Sequence, residues 1–114
     1  MRNFEYEKAY RQGEVLIFKL PKRMYGSIPT YSLSPKPDNV IREGEESGHE
    51  HKVVGDAQLS LFNQNQDEGI IDVGKEGAKI THPEHKDIEL KPGKYVVKTQ
   101  KEAKGRHGNQ SVRD

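Results

Sequence analysis

Residues 57–73 read Ala57-Gln58-Leu59-Ser60-Leu61-Phe62-Asn63-Gln64-Asn65-Gln66-Asp67-Glu68-Gly69-Ile70-Ile71-Asp72-Val73. Ala57, Leu59 and Leu61 alternate with polar residues, the period of two that lines one face of a strand with apolar side chains. The polar run from Asn63 to Gly69 predicts a hairpin connection, and Ile70-Ile71-Asp72-Val73 a second short strand. An amphipathic helix would need a sustained 3.6-residue apolar stripe, and no segment of the chain carries one.

The same reading extends outward in both directions. Upstream, Val15-Leu16-Ile17-Phe18-Lys19-Leu20 follows a turn-like Gln12-Gly13 and stops at Pro21, which predicts a buried strand. Val40-Ile41-Arg42 predicts a brief strand before Gly44, and His49–Val54 another, broken off by Gly55-Asp56. Downstream, 78–82, 87–90 and 95–98 read as short strands, punctuated by Gly74, Gly77, His82-Pro83 and Lys91-Pro92-Gly93-Lys94. Strands recurring about every 8–12 residues with turn signals between them predict a small antiparallel barrel or sandwich, mainly β. Residues 21–39 hold Pro21, Pro29, Pro35 and Pro37. Proline lacks a backbone donor, so a long proline-rich loop is expected there, of a length that in compact domains covers a site or is disordered.

A chain of 114 residues has room for one domain, with 10–102 as its folded part and 103–114 as a flexible tail. Leu, Ile, Val and Phe make up about a fifth of it, near the level where chains stay unfolded. Charged residues reach 32% but nearly cancel, at a net +1, so self-repulsion does not oppose collapse. A thin core follows, and with it the expectation of a homodimer that completes the burial. There is no cysteine, which excludes disulfides, thiolate zinc sites and cysteine nucleophiles and points to the cytoplasm. No apolar run approaches the roughly 20 residues of a membrane span, and Met1–Tyr10 has no signal-peptide character, so no membrane partner is expected; nor is duplex DNA. Lys98, Lys101, Lys104, Arg106 and Arg113 give the C-terminal stretch a positive bias that suits phosphate or a solvated tail.

Four of the five histidines fall in two groups, Gly48-His49-Glu50-His51 and His82-Pro83-Glu84-His85. On a strand, His49 and His51 project from one face roughly 6–7 Å apart, with Glu50 and Lys52 on the other unless the strand bends. His82 shares a face with Ala78 and Ile80, and His85 lies beyond the proline. In an antiparallel sheet the start of one strand and the end of another can be neighbours, so the two pairs can converge. Two chemistries fit. Neutral imidazoles on His49, His51, His82 and His85 suit a divalent transition metal, as in cupin-type barrels, although no glutamate ligand follows His51 at short spacing. Alternatively, with no cofactor, histidine titrates near neutral pH and can serve as both base and acid on a phosphodiester. A cation must then stabilise the phosphorane, with Lys52, Arg11, Lys98 and Lys101 as candidates.

In order along the chain, Arg11-Gln12-Gly13-Glu14-Val15-Leu16, Gly44-Glu45-Glu46-Ser47-Gly48-His49-Glu50-His51, His82-Pro83-Glu84-His85, Leu90-Lys91-Pro92-Gly93-Lys94-Tyr95 and Gln100-Lys101-Glu102 resemble a bacterial and phage family of small, metal-independent ring nucleases linked to type III CRISPR systems and to their counter-defence. The resemblance covers about residues 10 to 102. It implies a dimeric β fold, cleavage of cyclic oligoadenylate by 2′-hydroxyl attack, and linear products ending in a 2′,3′-cyclic phosphate. It also implies histidine and lysine in catalysis, with His49 and His51 as the acid–base pair, His82 and His85 completing the phosphate pocket, and Lys52 and Arg11 on phosphate. Gln12 and Gln100 are candidates to read adenine edges, or equally to bond strands to one another. Residues 21–39 and the turn at 43–48, with Gly48, suit a lid that excludes water. The family's aromatic residue after the Gln-Lys-Glu is here Ala103, which leaves Tyr25 or Tyr31 to hold a base. A binding module that sequesters the nucleotide uncleaved is the remaining alternative.

Overall fold

The computed structural model describes residues 1, 3–44 and 48–100. The expected tail from residue 103, the ligand candidate Lys101 and the middle of the 43–48 turn lie outside the described residues. Eight strands, β1 (Lys8–Gln12), β2 (Val15–Lys19), β3 (Leu33–Pro35), β4 (Val40–Glu43), β5 (Glu50–Phe62), β6 (Asn65–His82), β7 (His85–Leu90) and β8 (Gly93–Thr99), form one antiparallel sheet. Its order is β1-β2-β8-β6-β5-β3, with β4 added to β5 and β7 to β6. The mainly β expectation holds, and the sheet is sandwich-like rather than a closed barrel.

The long β5–β6 hairpin organises the rest. Sequence reading divides it at Gly55-Asp56 and at Gly74–Gly77, yet both strands run through these points. Register passes from Gly55↔Ala78 to Ala57↔Val73, so residues 74–77 of β6 are opposed by Asp56 alone. This is an irregularity of the bulge kind, which bends a strand and sharpens its twist. Gly55 and Gly77 sit there at φ +113° and +79°, conformations that disfavour a side chain. The Asp56 carboxylate accepts the Glu76 N–H at 3.1 Å, giving the displaced backbone a partner.

Beyond the bend, residues 57–73 pair with β3 and β8; before it, the β4 and β7 strands take over. The sheet thereby folds over a main core of Val15, Ile17, Ile41, Val53, Leu59, Leu61, Ile71, Val73, Ile80, Leu90, Tyr95 and Val97. On β5 the inward face keeps one parity from His51 through Val53 to Leu61. On β6 it switches from Ile71 and Val73 to Ala78, Ile80 and His82, as an odd offset at the bulge requires.

The proline-rich stretch has a different role from the one its length suggests. It forms two short 3-10 turns, Lys22–Ser27 and Thr30–Ser32, followed by β3. With Leu20 and Ile28 it covers a second core on the outer face, made with Phe62, Ile70 and Val96. It is thus a structural cover and not a lid over the histidines. Tyr25 packs on that second core, and its hydroxyl accepts the Lys94 N–H at 3.2 Å; Tyr31 is 88% exposed. No helix of the described residues is long and apolar enough to cross a membrane.

Candidate functional site

The two histidine pairs converge at one end of the main core. Register Lys52↔Thr81 on β5–β6 carries one residue further to set His51 beside His82, and the β6–β7 turn pairs His82 with His85. Ring centroids lie 4.3 Å apart for His51 and His82, 4.7 Å for His82 and His85, 6.0 Å for His51 and His85, and 6.2 Å for His49 and His82. His51, on the inward parity with Val53, is only 1% exposed; the other three histidines are half-buried.

The hairpin of β1 and β2 closes the other side. Its two-residue loop is Gly13-Glu14, with Gly13 at φ +59°, the first loop position where a II′ turn takes glycine. A Cβ on Gly13 would lie 2.9 Å from His85 Nε2 and 3.4 Å from His51 Cε1, so the backbone packs directly against the rings. Gln12, 2% exposed, spans the seam between β1 and the β6–β7 hairpin. Its Nε2 donates to the carbonyls of Ile80 (3.1 Å) and Lys86 (2.8 Å), while its Oε1 lies 2.9 Å from His51 Nδ1.

Carboxylates line the rim. Glu14 Oε1 is 3.4 Å from His51 Nε2, and Glu14 Oε2 is 3.9 Å from Arg42, which also reaches Asp67 at 3.7 Å. Glu84 has two contacts: its backbone N–H donates to His82 Nδ1 at 3.0 Å, and its carboxylate lies 3.8 Å from His49 Nδ1. Gly44 packs against His49 so closely that a Cβ would collide with the His49 backbone. Gly48, at φ +84°, turns the chain into β5.

Burial lowers the pKa of His51 below the ordinary histidine value, and the neighbouring His82 and His85 add to the shift; the pull of Glu14 in the other direction does not overcome them. His82 is lowered as well, by burial first and then by His85. For Glu14, burial works upward, but its own backbone amide, His51 and Arg42 outweigh it and hold the carboxyl below the usual range. Glu14 is therefore held towards its ionised form and His51 towards its neutral form.

The remaining sequence candidates divide. Arg11 reaches the loop, its Nη1 donating to the Gly13 carbonyl at 3.2 Å, so it stands beside the cluster. The Gln100 N–H donates to the Glu14 carbonyl at 2.8 Å, which ties the end of β8 to the same loop. Gln12 cannot read an adenine edge: both ends of its buried amide are committed to protein. Lys52 alternates away from His51 and Val53 and acts on Asp38 across the far face of β5, so the adjacency to His51 in sequence does not bring its ammonium to the rings. Lys98 points to the outer face, with Glu68 at 3.3 Å and the Phe4 ring at 5.3 Å. Sequence reading missed Glu14, Glu84 and Arg42. The first two lie inside quoted motifs, but only the register Arg42↔His51 brings the third to the site. Among the described residues, no three His, Cys, Asp or Glu side chains form a group arranged to hold a metal ion.

Fold and site together define a small antiparallel β protein with a four-histidine mouth built at the end of its core. The chain belongs to the family described as a domain of unknown function, DUF8820, whose profile matches residues 11–100 and so takes in every residue of that mouth. No curated protein and no solved structure matches the chain.

Proposed function

We propose that this protein is a metal-independent ring nuclease that cleaves cyclic oligoadenylate by 2′-hydroxyl attack, leaving linear products with a 2′,3′-cyclic phosphate, and that it works in the cytoplasm as a homodimer. The observation that carries the chemistry is the convergence of four imidazoles, one of them buried, with its pKa lowered by that burial, and held by an amide. Transesterification of RNA needs a base for the 2′ proton, an acid for the leaving 5′ oxygen and a cation for the phosphorane. The histidine cluster supplies the first two, and Arg11 and Arg42 at the rim supply the third. The motif resemblance supplies the substrate. The test is incubation with cyclic tri-, tetra- and hexa-adenylate in EDTA, followed by liquid chromatography. Linear products with a cyclic phosphate end are expected; intact ligand overturns the nuclease, and ligand bound but intact would establish a sequestering module.

A divalent transition metal on His49, His51, His82 and His85 is the second reading. What favours it is the contact of His51 Nδ1 with the Gln12 amide oxygen at 2.9 Å, since a metal-bound imidazole is oriented through its other nitrogen in this way. The rings would have to re-aim their nitrogens to share one ion. Metal analysis of the purified chain, and melting with and without zinc, nickel, copper or iron, tests it.

A further inference from the structure

The hydrogen bonds around His51 and His82 run in opposite senses, and that fixes what each ring offers a ligand. Backbone carbonyls only accept, so the Gln12 group facing Ile80 and Lys86 at 3.1 and 2.8 Å is its NH2. The atom meeting His51 Nδ1 at 2.9 Å is then an oxygen, and Nδ1 must carry the hydrogen. Neutral His51 then keeps its lone pair on Nε2, where burial of the ring works against the second proton that the Glu14 carboxylate at 3.4 Å favours. At His82 the logic reverses. The Glu84 backbone N–H only donates, so His82 Nδ1, 3.0 Å away, holds the lone pair and the ring hydrogen sits on Nε2.

We infer that His51 and His82, with centroids 4.3 Å apart, form an acceptor–donor pair of opposite tautomers, and that Gln12 is the positioning residue for the acceptor. The matching ligand presents a hydroxyl beside an anionic oxygen, as a ribose 2′-hydroxyl does next to its 3′-phosphodiester. This deepens the nuclease reading and rests on it for the reaction. As the O2′–P bond forms, the 2′ proton passes to His51 Nε2, where Glu14 Oε1 at 3.4 Å pairs with the imidazolium produced. His82 Nε2–H bonds a non-bridging phosphoryl oxygen. The P–O5′ bond breaks, and O5′ takes its proton from another imidazolium of the cluster. His82 is not that acid, because a proton on its Nδ1 would set donor against donor at Glu84. His49 is placed for the role by the Glu84 carboxylate, 3.8 Å from its Nδ1.

The experiment is nitrogen-15 NMR of the full chain with labelled histidine at neutral pH. The expected spectrum has His51 protonated on Nδ1 with a lone pair on Nε2, and His82 the reverse. The same tautomer on both rings, or an imidazolium at either ring, would overturn the pair. In Gln12→Ala, His51 should lose its single tautomer while the His82 signals stay put; an unmoved His51 spectrum removes the role of Gln12. Should that variant not fold, the wild-type spectrum still decides the pair. Opposite tautomers without cleavage of cyclic oligoadenylate would keep the donor–acceptor pair and overturn only the nuclease, whereas cleavage with matching tautomers would do the reverse.

Discussion

His51 Nε2 and Glu14 Oε1 face each other at 3.4 Å across the histidine mouth, and both groups have their pKa lowered by the fold. The two shifts have the same sign for stability. A histidine depressed below 6.5 binds its proton more readily in the unfolded chain, so acidification through 6.5 favours unfolding. His82 contributes in the same window. Glu14, depressed below 4.5, adds a second loss only as pH falls under that value. Thermal melts should therefore give a level Tm between pH 7 and 8 and a decline that begins near 6.5. A Tm that rises on mild acidification would show that His51 is charged in the folded chain.

Side-chain direction separates neighbours in the sequence. His51 faces the cluster and Lys52 the far side of β5, beside Asp38. Alanine at His51 should lower cleavage by roughly 10²–10⁴-fold, the usual size of a lost acid or base. Lys52→Ala should leave turnover at the wild-type level, and Arg42→Ala should slow it, because Arg42 stands 3.9 Å from Glu14 beside the cluster. The comparison is made by initial rates on the same cyclic oligoadenylate. Loss of activity in Lys52→Ala with Arg42→Ala unaffected would restore the assignment that sequence adjacency suggests.

The β5–β6 bend is the fold's most demanding joint. A Cβ on Gly55 would lie 2.9 Å from Ala78 Cα and from the Gly77 carbonyl oxygen, both backbone atoms without a flexible end to yield, and its φ is +113°. Backbone strain alone costs about 1–3 kcal/mol at such positions. Gly55→Ala should therefore lower stability by at least that much in urea unfolding, and the loss should spread to the histidine mouth, since β5 carries His51 on the same strand. Stability equal to wild type would mean that the bend relaxes without cost.

Much of the strand content was legible because alternation survives locally: Leu59, Leu61, Ile71 and Ile80 all point where their period places them. The convergence of the histidine pairs was legible for the same reason, since same-face spacing and a strand-end position are local properties. What was hidden depends on long-range register. Gly55, Gly74 and Gly77 read as strand ends, because a bulge inside a strand and a turn between strands use the same residue chemistry. β1 was missed because Lys8-Ala9-Tyr10-Arg11-Gln12 is mostly polar, and only pairing with β2 makes it a strand. The second core was invisible too: Ile28 and Leu33 sit among prolines, and nothing local says that they cover Ile70 and Val96.

Gly13 joins the backbone of the β1–β2 loop to the chemistry of the rings. Its φ of +59° costs an L-residue roughly 1–2 kcal/mol. The contact is the larger matter: an alanine methyl would press on His85 Nε2 at 2.9 Å and on the edge of His51 at 3.4 Å. The His85 ring is the end of a rotatable side chain and can swing away, so Gly13→Ala should fold with only a modest loss of stability. Swinging His85 out, however, breaks its 4.7 Å contact with His82 and so disturbs the ring cluster. Cleavage should therefore fall far more than stability does, read by initial rates and urea unfolding on one preparation. Equal, small losses in both would mean that His85 lies outside the working part of the cluster. Loss of folding would mean that the loop, and not the ring, sets the requirement for glycine.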